Sequence, residues 1–265
     1  MLMGHWKLGG PFPPIASPVI FSHSFPMGST ASLVTALAAI LWASNPGIAA
    51  NALAQPATEP ALDAPFRDEI IRFAEVDRIQ TPPSCGVLFV GSSSIRLWTS
   101  LRQDMQPLPV INRGFGGSTI ADAIRYFDRI VTPYRPRAVV FYSGENDIDA
   151  GTTPADAAAA FARFMALKRD RLGDTPVFFI SAKPSRLRIA QMPRQAELNR
   201  AVLELADAQP DLHFIDIVDA MLDKGVPKDL YVDDGLHMSP AGYSIWRDKV
   251  ASTLRIAGIP DRTCG

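Results

Sequence analysis

The chain has 265 residues, 47% of them hydrophobic and 20% charged, with a formal net charge of −1. That suits one ordinary globular domain with a sizeable core plus an extra segment. A near-neutral balance without a Lys/Arg-rich run gives no footing for nucleic acid or a strongly charged ligand. Residues before Glu59 contain no acidic side chain, many Pro and Ala, and an apolar run from Leu33 to Trp42. Ala50-Asn51-Ala52 and Ala52-Leu53-Ala54 follow as small-x-small sites, so residues 1–54 read as a secretory signal cleaved near Ala54. The competing reading is a disordered extension. No Lys or Arg directly precedes the apolar run, and Met27 is a second candidate start. The run is short of the roughly 20 residues of a membrane span.

A helix and linker are expected over 55–84, with an amphipathic helix from Ala61 to Gln80 stopped by Pro82-Pro83. The domain proper is expected over 85–265. Val87-Leu88-Phe89-Val90 is a continuous apolar run that suits a strand buried on both faces, and Val110-Ile111-Asn112 is a weaker second strand. Ile120 to Ile130 reads as helix, and 138–142 as a third strand. Pro154 to Arg171 reads as an Ala-rich helix, and 177–180 as a fourth strand. Ile189 to Ala208 is helical, 212–215 is a fifth strand, and Pro240 to Ile256 is the closing helix with Pro in its first turn. Apolar strands alternating with helices imply an α/β fold, a parallel sheet covered on both faces. Of the two cysteines, Cys85 precedes the first strand and Cys264 follows the last helix, so both fall at the bottom of such a sheet. A disulfide and two buried free thiols are the two readings.

In such folds ligands bind at the carboxyl ends of the strands. Four polar segments fall there: Ser92-Ser93-Ser94, Gly116-Gly117-Ser118, Asn146-Asp147 and Asp234-Gly235-Leu236-His237. A serine leaving a buried strand can present its hydroxyl at the sheet edge, or the three serines merely cap the next helix. Chemistry alone leaves open which of them would act. Asp234 can bind the imidazole Nδ1–H of His237 and leave Nε2 as a base; Asp233 competes for that role or is solvated. The Gly117 N–H and the Asn146 amide can serve an oxyanion, or both segments are plain turns and caps. Lys183-Pro184-Ser185-Arg186 lies at the same edge, as a substrate contact or a solvated loop, and the solvated reading is preferred. No phosphate loop occurs, and residues 114–119 lack the third glycine of a dinucleotide fingerprint. His5 and His23 fall in the leader segment and His213 within a strand, so a His-rich zinc site is not expected.

From Val87 to Leu254 these segments together resemble the SGNH/GDSL hydrolase family, most closely its platelet-activating-factor-acetylhydrolase-like branch. The four blocks are Gly91-Ser92-Ser93, Gly117-Ser118-Thr119, Gly144-Glu145-Asn146-Asp147 and Asp234-Gly235-Leu236-His237. The first block departs from the family's G-D-S by carrying Ser92 for Asp. The resemblance implies a flavodoxin-like three-layer α/β/α domain with five parallel strands, and Ser93 as nucleophile. His237 and Asp234 complete the triad, and Ser93, Gly117 and Asn146 form the oxyanion hole. It implies hydrolysis of an ester on a small molecule or glycan, without metal or cofactor; the lack of a long apolar lid segment in the sequence favours short acyl groups such as acetyl. An exported glycan-binding accessory of the same fold and an O-acyltransferase are the alternatives. The alcohol partner and the oligomeric state are not legible.

Overall fold

A computed structural model describes residues 64–260, all within the unit spanning Ala54–Gly265. The expected secretory segment 1–54, its cleavage point and Cys264 lie outside the described residues. β1 (Val87–Gly91), β2 (Val110–Gly114), β3 (Ala138–Tyr142), β4 (Val177–Ile180) and β5 (Leu212–Ile215) form one parallel sheet in the order β2-β1-β3-β4-β5. The three central strands are buried at every position, and so they read as unbroken apolar runs. The edge strands are more polar: β5 carries His213, half-buried and stacked on Phe178 at 4.5 Å.

Successive strand residues point to opposite faces, which divides the core in two. Leu88, Val90, Val139, Phe141 and Phe179 pack under α1 (Arg67–Ile79), α4 (Ile120–Arg125), α5 (Phe127–Ile130), α7 (Pro154–Leu172) and α8 (Met192–Ala208). Phe89, Val140 and Phe178 pack on the other face under α2 (Ser93–Arg96), α3 (Leu101–Asp104) and α10 (Pro240–Ile256). Phe141 anchors the first half, within 4.5–6.0 Å of the Phe161, Phe164 and Phe179 rings. Trp98 anchors the second, against Phe89, Tyr243 and Trp246. α6 (Glu145–Asp149) follows β3. α9 (Val218–Met221) and a small antiparallel pair, β6 (Leu222–Asp223) with β7 (Val226–Pro227), follow β5. Among the described residues no helix is long and apolar enough to cross a membrane.

Three elements differ from the expectation. The helix expected over 120–130 is two helices, because Tyr126 leaves the helical region (φ −100°, ψ 9°) and donates its hydroxyl to the Pro65 carbonyl. α4 starts on a Thr119–Asp122 capping box, a local start signal. The helix expected from Ile189 opens with one 3-10 turn, Ile189–Gln191, before α8. The first helix is shorter than the expected Ala61 to Gln80, spanning Arg67–Ile79.

α1 is keyed into the domain. Ile70 is buried in the core, and the Phe66 ring meets Phe115 edge-on at 5.4 Å. Asp77 pairs with the buried Arg113 guanidinium, which also donates from Nε to the Tyr134 hydroxyl at 2.6 Å; that hydroxyl donates to Asp77 Oδ2 at 2.5 Å. Removing one partner of a buried pair strands the other charge, at a cost of about 3 kcal/mol. Asp77→Ala should therefore lower unfolding stability by about that amount in a urea titration; a loss of only a few tenths would mean Arg113 finds solvent without α1.

Candidate active site

The register sets the site. Gly91 pairs with Gly114 and with Tyr142, so β1, β2 and β3 end level. The residues that follow emerge together at the carboxyl edge, where a doubly wound sheet opens a crevice. Gly91 has φ 143°, and a Cβ there would lie 1.8 Å from the Tyr142 carbonyl oxygen. Only glycine lets the chain turn this close to β3, and the turn fixes Ser92 N–H on that carbonyl at 3.0 Å. Ser93 then opens α2.

Of the three serines, the structure places Ser93 Oγ 2.9 Å from His237 Nε2. The Oγ atoms of Ser92 and Ser94 are buried and find no partner among the described residues, and no serine makes a side-chain cap to α2. His237 Nδ1 lies 2.6 Å from Asp234 Oδ2. Asp234 Oδ1 accepts the N–H groups of Leu236 at 2.8 Å and His237 at 2.9 Å. Partial burial pushes the Asp234 carboxyl up, but the His237 ring and these two N–H groups outweigh it and hold it at about 2. Asp234 is thus an anion at any ordinary pH and accepts Nδ1–H, which leaves Nε2 free to accept the Ser93 proton. Asp233 is exposed and outside this chain of contacts. The loop closes locally: Val232 N–H reaches the His237 carbonyl at 2.9 Å and Ser239 N–H the Leu230 carbonyl at 2.8 Å.

Gly117 and Asn146 face each other. A Cβ on Gly117 would lie in ordinary contact, 3.9 Å from Asn146 Nδ2, which sets this glycine beside that amide. Asn146 Nδ2 donates to the Ser118 carbonyl at 3.0 Å, and its Oδ1 accepts from Arg188 at 2.9 Å. Ser93 heads α2, and the first N–H groups of a helix lack partners within it. The five residues singled out from sequence are thus brought to one edge as two groups, Ser93–His237–Asp234 and Gly117–Asn146.

Several residues that hold the site were not singled out. Asp147 is buried and accepts the Ile120 N–H from both carboxylate oxygens, at 3.1 and 3.2 Å, which ties the β3 loop to the head of α4. Glu69 of α1 accepts the Gly116 N–H at 3.1 Å and lies 3.7 Å from Arg96. Arg188 is buried and pairs with Asp149 at 2.9 Å. Lys183 corrects the solvated-loop expectation: it is fully buried, 2.7 and 2.8 Å from the two oxygens of buried Glu145, which also accepts the Tyr142 hydroxyl at 2.8 Å. Burial lowers the Lys183 ammonium against the pull of Glu145. Ser185 is buried too, and only Arg186 reaches solvent, against Asp229. A signal existed for Asp147, the last residue of the third block; Arg188 and Glu69 carry none in local sequence. Among the described residues no group of three or more His, Cys, Asp and Glu is placed to hold a metal ion.

The sequence matches the GDSL-like Lipase/Acylhydrolase family over residues 85–245. No curated protein matches it. Among solved structures, it is similar to a GDSL-like lipase from Bacteroides thetaiotaomicron, with 20% identity over 71% of this chain and 98% of that one and a TM-score of 0.61. It is similar to the lipase/acylhydrolase from Enterococcus faecalis, with 21% identity over 68% and 100% of the two chains and a TM-score of 0.56. A variant of an acetyl-xylooligosaccharide esterase from Geobacillus Stearmophilus shares 17% identity over 69% and 98%, with a TM-score of 0.53. At these identities the structural likeness carries the fold, and the family match carries the family.

Asp147 yields a test of the brace. Burial raises its carboxyl to about 6 from 3.8, with the Ile120 N–H acting in the opposite direction. The folded state therefore binds this proton more tightly than the unfolded state. Its contribution to stability is greatest below the unfolded value and is lost as pH rises toward 6. The gap corresponds to roughly 3 kcal/mol. Asp147→Asn keeps an acceptor for Ile120 but cannot ionise. Its melting temperature relative to the parent should rise between pH 4 and pH 6.5; a constant difference would show that Asp147 titrates normally.

Proposed function

The chain belongs to the GDSL-like lipase/acylhydrolase family, and we propose that within it this protein is a serine esterase acting on short-chain, chiefly acetyl, carboxylic esters of small molecules or glycans. One observation carries the reading: the unbroken contact chain from Ser93 Oγ through His237 to an Asp234 carboxylate. His237 Nε2 takes the Ser93 proton as Oγ attacks the acyl carbon, and the carbonyl π electrons pass to its oxygen. The N–H groups of Ser93 and Gly117 and the Asn146 amide receive that oxyanion; such donors matter most because they are fixed before the charge develops. On collapse the alcohol leaves with the proton from His237. Water, deprotonated by the same nitrogen, then attacks the acyl-enzyme; on collapse Ser93 Oγ leaves and takes that proton back from His237, and the carboxylic acid departs and ionises in solvent. Asp234 stays ionised throughout and orients the ring. The Geobacillus neighbour, an acetyl-xylooligosaccharide esterase, supports the acetyl preference.

Ser93→Ala should abolish hydrolysis of p-nitrophenyl acetate by the purified protein. The parent should turn over the acetate ester faster than the octanoate. Activity that survives in the variant would sink Ser93 as nucleophile, and preference for octanoate would sink the acetyl reading.

The same reading has the chain exported, with cleavage near Ala54 and Cys85 joined to Cys264. Arg137 supports the pairing: it donates to the Cys85 carbonyl and, at 2.7 Å, to that of Pro260, so the chain end four residues before Cys264 lies on the residue that holds Cys85. Intact mass of the protein recovered from outside the cytoplasm should show a start after Ala54 and a gain of about two mass units on reduction; an uncleaved start or an unchanged mass would overturn the corresponding claim.

A further inference from the structure

We propose that Arg188 is a positioning residue for the oxyanion hole, which it serves by fixing which end of the Asn146 amide faces the substrate. An asparagine side chain can turn over by 180°, since its oxygen and nitrogen occupy similar volumes but have opposite hydrogen-bonding character. In an oxyanion hole only one orientation works: the nitrogen donates, whereas the oxygen would repel the developing charge.

Two partners decide the orientation here. The Ser118 carbonyl can only accept, and it holds Nδ2 at 3.0 Å. The Arg188 guanidinium can only donate, and it holds Oδ1 at 2.9 Å. Turning the amide over would set oxygen against oxygen at Ser118 and N–H against N–H at Arg188. Because Arg188 is only 9% exposed, water could not repair the second mismatch cheaply. With Nδ2 fixed, one of its two hydrogens is spent on Ser118. The other is free for the oxyanion, beside the space that Gly117 leaves open.

Arg188 is itself clamped. One terminal nitrogen lies 2.9 Å from Asp149 Oδ2, and Gln191 holds the other oxygen of Asp149 at 2.6 Å. The nitrogen on Asn146 also lies 3.6 Å from Glu145, so the cation is compensated without being drawn off the amide. A charged donor on Oδ1 further polarises the amide and strengthens the Nδ2–H that meets the oxyanion.

The inference rests on the serine-esterase reading, and the experiment separates the two. Steady-state kinetics with p-nitrophenyl acetate would compare the parent, Ser93→Ala, Asn146→Ala, Arg188→Met, Arg188→Lys and the double variant Asn146→Ala/Arg188→Met, with a thermal melt for each. Arg188→Met should lower kcat by about 10- to 100-fold with KM changed less than about twofold, a fraction of the loss expected on removing the donor outright. Arg188→Lys should recover part of it. In the Asn146→Ala background the effect of Arg188→Met should vanish, because no amide remains to orient. An equal loss in both backgrounds, or a parental kcat in Arg188→Met, would overturn the proposal. Parent activity that ignores Ser93→Ala would overturn the esterase reading instead. Should the Met variant fail to fold, Arg188→Gln takes its place, since glutamine can offer an oxygen or a nitrogen and no longer dictates the orientation.

Discussion

The buried ion pair between Glu145 and Lys183 is the constraint on which the site is built. Both side chains are essentially inaccessible, 1% and 0% exposed, and Tyr142 supplies a further hydrogen bond to the carboxylate. Such a pair adds little net stability, because desolvating two charges offsets most of their attraction. What it supplies is position. It ties the end of β3 to the segment leaving β4. From Lys183 the chain runs on so that the Pro184 carbonyl accepts the Tyr231 hydroxyl, Leu187 N–H meets the Gly235 carbonyl at 3.0 Å, and Arg188 reaches Asn146. One buried carboxylate thereby fixes the β4 loop, and that loop touches both the histidine loop and the asparagine.

The two halves of the site are held in different ways. Asp234 and His237 are partly exposed, with 44% and 26% of their side-chain surface accessible. They keep their geometry through short-range hydrogen bonds within residues 230–239. Asn146 is held by buried Arg188, which lies 3.6 Å from buried Glu145, while buried Asp147 ties the adjoining β3 loop to the Ile120 N–H. The difference fits the proposed chemistry. A base that must exchange protons with substrate and water needs solvent access. An oxyanion hole works because its dipoles do not have to reorganise, and rigidity of that kind comes from packing.

The sheet was legible because its central strands are apolar on both faces and its edge strands nearly so. The pattern also gave the long helices: Pro154–Leu172 exceeds its expected span by one residue, and Pro240–Ile256 has the bounds read from sequence. The misses share a physical origin. α2 and α3 have four residues each, too few for a 3.6-residue period to register. The break at Tyr126 depends on a hydroxyl reaching Pro65, 61 residues away. Lys183 and Arg188 look like solvated charges in their own segment, and their burial is decided by Glu145, Asn146 and Asp149, about 40 residues upstream. The serine run at 92–94 and His237 were nevertheless associated, because each follows a strand and strand ends converge; the choice of Ser93, 144 residues from His237, came from the family resemblance.

Ser92 shows how such support can compensate a change within the first block. Its side chain is wholly buried and its hydroxyl finds no partner among the described residues. A carboxylate there would need donors or would be forced to protonate. What locates the Ser93 turn is the backbone: Ser92 N–H on the Tyr142 carbonyl, the Ser92 carbonyl accepting Ile95 and Arg96 N–H at 2.9 and 3.1 Å, and Gly91 lying against β3. None of these contacts uses the side chain at position 92. Tyr142, which receives the Ser92 N–H on its carbonyl, also donates its hydroxyl to Glu145, so the turn that carries Ser93 and the Glu145–Lys183 pair meet on one residue of β3. A small neutral residue at 92 is therefore compatible with the turn that places Ser93 against His237. The turn is held instead at the end of β3, where the Tyr142 carbonyl takes the Ser92 N–H at 3.0 Å.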